Sequence, residues 1–232
     1  MVPRIVLGVV TSPKDRAIAE RVHEAIRQLA PRPAKIVFAE VSSDKVYRDW
    51  LAAAGWEVLP VDAKGAASEH AAGRDAISRY ALKHGYSHAL FVEGDILLPE
   101  KTLALLCEDP QAVVAGVYLG PAEIEGRMMV APMLAARREV PVYGRCLPVN
   151  LVIESKRLDL GGIGFGCVLI ETQALEKIDF RVARSSFDAS DAIRKQGYNL
   201  FADTRVKCIH VYNGVDLTFP ASIAAMSFET EV

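Results

Sequence analysis

No stretch of this chain reaches the roughly 18 to 20 consecutive apolar residues that a bilayer-spanning helix requires. The amino terminus also lacks a basic segment followed by an uninterrupted apolar one. Neither a transmembrane segment nor a secretory leader is expected, and a cytoplasmic protein fits best. An excess of one charge is missing too: 27 Lys and Arg stand against 29 Asp and Glu, for a net charge of −2 with both signs dispersed. Neutralising a phosphate backbone takes a basic face, so polymeric nucleic acid is a poor candidate partner. Cysteine is scarce. Cys107, Cys146, Cys167 and Cys208 are widely separated, without the C-x-x-C spacing that presents two thiolates to zinc. They read as buried free thiols. Internal repeats and low-complexity tracts are absent as well.

What remains is a globular composition, 51% hydrophobic and 24% charged over 232 residues, which supplies the apolar surface for one continuous core. One domain over 1–232 is expected. The first 120 residues alternate between two hydrophobic periods. Residues 5–10 form a β-branched run, and Thr11-Ser12-Pro13 then opens a helix with Ile18, Val22, Ile26 and Leu29 on one face. Residues 35–41 give a second strand, Trp50 and Leu51 lie in a short helix, and residues 57–61 give a third strand after the Gly55 stop. A helix over 74–84 ends at Gly85, and residues 89–92 form an apolar strand without polar alternation, as a strand buried on both faces does. Helix 99–107 and strand 112–118 complete an open, mostly parallel, Rossmann-like α/β sheet, whose ligands belong at its carboxyl edge.

The segment 120–159 breaks this rhythm and reads as a small β-rich insertion, with short strands at 128–134 and 147–154 around a basic link. That link, Arg137-Arg138 with Arg127 and Arg145 nearby, reads as a solvated loop, the alternative being a segment that covers the site or meets an acceptor. Beyond it come a Gly-rich approach to a strand over 161–170, short helices at 174–178 and 188–196, and a last strand over 206–211.

The chemistry centres on Glu93-Gly94-Asp95, two carboxylates separated by one glycine, between a buried strand and a helix. Carboxylate oxygens in such a turn suit a hard divalent cation, which in turn can neutralise a diphosphate. The glycine allows a ligand to approach the backbone closely.

In order along the chain, these segments resemble the GT-A fold family of nucleotide-diphospho-sugar glycosyltransferases. Arg74-Asp75-Ala76 stands where that family has an Arg-bearing helix. Ala89-Leu90-Phe91-Val92-Glu93-Gly94-Asp95-Ile96 stands where it has its Asp-x-Asp strand. Val113 to Tyr118 matches a strand ending in Gly-x-Tyr, and Gly161-Gly162-Ile163-Gly164-Phe165-Gly166 matches the Gly-rich strand beside the sugar. Gly197-Tyr198, Ala202-Asp203 and His210 match the closing pattern.

The resemblance implies a nucleotide-binding half over 1–119 and an acceptor- and metal-completing half over 120–232. Asp95 and His210 would ligate Mn2+ or Mg2+, manganese being the more tolerant of nitrogen. Thr11 and Glu40 would contact base and ribose. Arg74 would reach the diphosphate, Glu93 the ribose or a metal-bound water, and Gly162 the sugar side.

One departure concerns the base. Many inverting members carry Glu-Asp where this chain has Ser185-Ser186, leaving Asp188 and Asp191 as the carboxylates able to deprotonate an acceptor. Asp188 also suits the first turn of a helix electrostatically. The implied function is metal-assisted transfer of a sugar from a nucleoside-diphosphate sugar to an acceptor hydroxyl whose identity the sequence does not give; an oligomer is compatible with it. Two alternatives stay open. A nucleotidyltransferase usually has a Gly-rich, basic loop after the first strand, where this chain has Thr11-Ser12-Pro13-Lys14-Asp15-Arg16. A non-catalytic nucleotide-sugar-binding module would keep the fold alone.

Overall fold

β-Branched apolar runs become buried strands, and polar caps and glycines mark where the chain leaves them. The computed structural model describes residues 3–124, 126–137, 146–154 and 156–220. The first half contains β1 (Ile5–Thr11), α1 (Ala19–Arg27), β2 (Lys35–Glu40), α2 (Lys45–Ala53), β3 (Glu57–Leu59) and α3 (Glu69–Lys83). It continues through β4 (His88–Glu93), β5 (Ile96–Leu97), α4 (Thr102–Leu106) and β6 (Val113–Val117). The second half begins with a hairpin of β7 (Leu119–Ile124) and β8 (Arg127–Pro132), then β9 (Leu134–Ala135), α5 (Val149–Glu154) and β10 (Arg157–Leu160). It closes with β11 (Gly162–Ile163), β12 (Cys167–Glu171), α6 (Thr172–Leu175), α7 (Ser186–Lys195), β13 (Leu200–Lys207), β14 (Ile209–Tyr212) and β15 (Val215–Leu217).

Eight strands form the central sheet in the order β10-β13-β6-β12-β4-β1-β2-β3. β1, β2, β3, β4, β6 and β13 run one way. β12 is antiparallel to both its neighbours, and β10 is antiparallel to β13. The expected open, mostly parallel α/β architecture is therefore the observed one. Helices cover both faces. α3, α6 and α7 bury Ile77, Leu175 and Ile193 against one, while α1, α2 and α4 bury Ile26, Leu51 and Leu103 against the other. The approach of α3 is close enough that a Cβ on Gly8 would sit 2.4 Å from Ile77.

Four expectations need correction. Residues 147–154, expected as β, include helix α5, because the β-branched run Val149–Glu154 also fits a buried helical turn. α3 starts at Glu69 instead of 74, where the Ser68 hydroxyl accepts from Ala71 N at 3.1 Å; the small, polar first turn hides its period. The last expected strand over 206–211 is two strands in two different sheets. All four cysteines are free, but only Cys167 and Cys208 are buried; Cys146 is half-buried and Cys107 exposed. Arg138 and Arg145 of the basic link lie outside the described residues.

Candidate active site at the carboxyl edge

β4 delivers Glu93 to the carboxyl edge, and the chain reverses at Gly94, whose N–H donates to Val10 O at 2.9 Å. A side chain there has no room: its Cβ would lie 2.8 Å from both Thr11 Oγ1 and Asp15 Oδ2. Asp95 follows, and β5 then leaves the main sheet to pair antiparallel with β14, Ile96 opposite His210. Val211 N donates to Asp95 O at 2.9 Å. The switch that frees β14 occurs at Cys208, whose N–H ends the main-sheet ladder on Val117 O at 2.8 Å.

This ladder brings His210 Nε2 to 3.2 Å from Asp95 Oδ2, across 115 positions of sequence. The other ring nitrogen, Nδ1, lies 2.8 Å from Leu119 O. A carbonyl oxygen only accepts, so Nδ1 carries a proton, and Nε2 is the atom that faces the carboxylate. Burial pulls the imidazole pKa down, but the bond to Asp95 and its charge outweigh this, and the net shift is upward. Asp95 Oδ1 is buried and has no hydrogen-bond partner among the described residues.

Glu93 and Arg74 form a second buried group. Arg74 is 3% exposed; its Nη2 donates to Glu93 Oε1 at 2.7 Å and to Ser186 Oγ at 3.2 Å, and its guanidinium lies over the Phe165 ring. The guanidinium expected to reach a diphosphate is thus engaged with Glu93. Beside them the Tyr118 hydroxyl accepts from Gly166 N at 3.2 Å. Burial, then the charge of Glu93, raises its pKa well above the usual tyrosine value. Tyr118 fills the space that Gly164 and Gly166 leave: a Cβ on Gly164 would meet its oxygen at 2.2 Å. Gly162 is likewise packed, 2.8 Å from Phe187 by the same measure, against the start of α7.

Thr11 and Glu40 are register partners in the β1–β2 ladder. Their surroundings include two residues that the sequence reading passed over. Asp15 Oδ2 accepts from Ser12 N at 2.9 Å and from Thr11 Oγ1 at 3.2 Å, and Tyr47 Oη lies 2.9 Å from Thr11 Oγ1. Burial raises the Asp15 pKa, opposed by the Ser12 amide and reinforced by nearby Asp95. The signal for Asp15 was present as Ser12-Pro13-Lys14-Asp15, a capping-box spacing; Tyr47, inside a helix, carried none.

Asp188 and Asp191 stand apart from this group. Asp188 Oδ2 accepts from Arg184 N and Ser185 N, both at 3.1 Å, while the Ser185 hydroxyl accepts from Asp188 N. That is a complete cap for α7. Both aspartates line a surface depression with Lys177, Asp179 and Lys195, and it shares no residue with the Asp95–His210 pair. Among the described residues no set of three or more His, Cys, Asp or Glu side chains converges to hold a metal ion. No described helix is long and apolar enough to cross a membrane.

No protein-family model matches the chain, and no curated protein matches its sequence. Solved structures do share its fold. A197 from STIV is 12% identical, with a TM-score of 0.55 over 93% of this chain and 90% of that one. A 4-diphosphocytidyl-2C-methyl-D-erythritol synthase is 14% identical, with a TM-score of 0.54 over 95% of each chain. CMP:2-keto-3-deoxy-manno-octonic acid synthetase, solved in complex with CTP, is 11% identical, with a TM-score of 0.52 over 86% of this chain and 88% of that one. At these identities the likeness is one of fold.

Proposed function

We propose that the protein is a metal-dependent glycosyltransferase acting on a nucleoside-diphosphate sugar. The observation that carries this reading is the convergence of Asp95 and His210 at the carboxyl edge of the parallel sheet, 3.2 Å apart, with Nδ1 tied to Leu119 O. A metal-ligating imidazole is commonly oriented by such a carbonyl. The unpartnered, buried Asp95 Oδ1 adds an oxygen with no other described use, so the residues present fit Mn2+ or Mg2+. Asp95 and His210 would hold such a cation from the protein side and would leave it free to engage phosphate oxygens. When bound, such a cation offsets the negative charge that develops on a leaving diphosphate.

In this reading the acceptor oxygen bonds to the anomeric carbon while the bond from that carbon to the diphosphate oxygen breaks, the electron pair leaving with the nucleoside diphosphate. The acceptor's proton goes to a base. Asp188 is committed to its cap and Asp191 lines the same separate depression, so neither is assigned that role; the leaving diphosphate oxygen is the base that this reading supplies, as in a retaining reaction. The Arg74–Glu93 pair holds the acidic turn against α7 through Ser186.

Incubation with a panel of nucleotide sugars and manganese tests the proposal. Release of a nucleoside diphosphate by the native chain, lost in Asp95→Ala, is the expected result. Pyrophosphate-dependent exchange would instead assign nucleotidyl transfer. The loop after β1 argues against that outcome, since it is glycine-free and folds as a 3-10 turn closed on Asp15.

A further inference from the structure

Thr11 and Glu40 stand side by side at the ends of adjacent parallel strands. Proton counting fixes the direction of the hydrogen bonds around them. Asp15 Oδ2 accepts from the Ser12 amide, and it accepts the Thr11 hydroxyl proton as well. A threonine hydroxyl has one proton, so the 2.9 Å contact between Thr11 Oγ1 and Tyr47 Oη is donated by the tyrosine. Tyr47 Oη therefore has only lone pairs left to offer. Its ring is 2% exposed and stacked on Trp50 at 5.6 Å and 15°, which fixes the oxygen in place.

Glu40 ends in the same condition. Its Oε1 accepts from Ser42 N at 2.8 Å and from Ser42 Oγ. Its Oε2 is buried without a hydrogen-bond partner among the described residues, on a side chain belonging to a residue 2% exposed. An unpaired buried carboxylate oxygen costs free energy until a donor reaches it. Lys14, Arg16, Ser42 and Ser43 around this group are exposed, so it lies one layer beneath the sheet edge at which ligands enter.

We propose that these two acceptors read the base of the donor nucleotide and that the base is guanine; the inference rests on the nucleotide-sugar reading above. Guanine, alone among the four common bases, presents two adjacent donors, N1–H and N2–H, on one edge. Uracil places its single N3–H between two carbonyl oxygens. Adenine and cytosine each set an amino group beside a ring-nitrogen acceptor. Opposite Glu40 and Tyr47, each of those acceptor atoms would bring lone pair against lone pair in a buried site.

Calorimetric affinities of GDP, IDP, UDP, CDP and ADP for the full chain with manganese test this. GDP is expected to bind at least about tenfold more tightly than the others, including IDP, which lacks only the N2 amino group. Glu40→Gln and Tyr47→Phe, checked for an unchanged melting temperature, should each lower GDP affinity and leave UDP within about twofold of the native value. Preference for another base, or equal binding of IDP and GDP, overturns the guanine assignment and leaves sugar transfer standing. An equal loss for all five nucleotides in Glu40→Gln assigns that oxygen to the ribose and overturns it as well. If none of the five binds, both this inference and the reading beneath it fall.

Discussion

Gly94 shows how a single position couples the acidic turn after β4 to the end of β1. The absence of a side chain lets the acidic turn press against Thr11 and Asp15, so Gly94→Ala forces a methyl group to 2.8 Å from each. Overpacking of this kind costs about 1–3 kcal/mol, and chemical denaturation should show a loss in that range. His23 offers a second test, governed by pH. It is 3% exposed, its Nδ1 accepts from Trp56 Nε1 at 3.1 Å, and its Nε2 has no partner among the described residues. Burial, helped by the charge of Arg27, lowers its pKa to about 4. Below pH 6.5 the unfolded chain takes up a proton there that the folded chain refuses until about pH 4. Its contribution is therefore complete above pH 6.5 and is lost as pH falls through that window, by up to about 3 kcal/mol. Unfolding free energies at pH 7 and pH 4.5 should differ less in His23→Gln than in the native chain.

At the scale of elements, α7 tests whether Asp188 is a cap. Ser185 and Asp188 exchange hydrogen bonds across its first turn, so Ser185→Ala should cost about 1 kcal/mol. Asp188→Ala should cost about as much, and because both belong to one cap the double variant should fall short of their sum; melting curves of the three variants decide. The elements also show what a sequence discloses. Strands β1, β2, β4, β6 and β12 were legible because burial on both faces leaves a continuous apolar run. α5 was not, since Val149–Glu154 has too few residues to separate a helical from a strand period. The break at Cys208 was hidden too: nothing in Val206 to Val211 distinguishes one strand from two, and only the pairing of Ile96 with His210 reveals the change of sheet. Of the site, Asp95 was legible in the acidic turn after β4, and the resemblance paired it with His210, whose ring the structure places 3.2 Å from its carboxylate. Asp15 and Tyr47 were missed because their roles come from the three-dimensional closure of the turn after β1.

Among the described residues, the eight-stranded sheet carries a three-stranded ribbon, β15-β14-β5, at its carboxyl edge, beside the two-stranded pairs β7-β8 and β9-β11. If the ribbon supports a cation, binding should stabilise the entire fold by mass action. At manganese about 100-fold above its dissociation constant the gain is about 2.7 kcal/mol. For a chain of this size that corresponds to a rise in melting temperature of about 5 °C or more. The shift should be present in the native protein and absent in Asp95→Ala, and a chelator should reverse it.

The ribbon also sets when the proposed cation site can form during synthesis. Asp95 leaves the ribosome early and can settle into its turn as soon as β1 and β4 have paired, yet its partner emerges 115 residues later. A nascent polypeptide halted after Lys207 would already contain every strand of the main sheet and still lack the histidine. Assembly of the scaffold and completion of the proposed cation site are thus separable, with the second deferred until β14 has emerged.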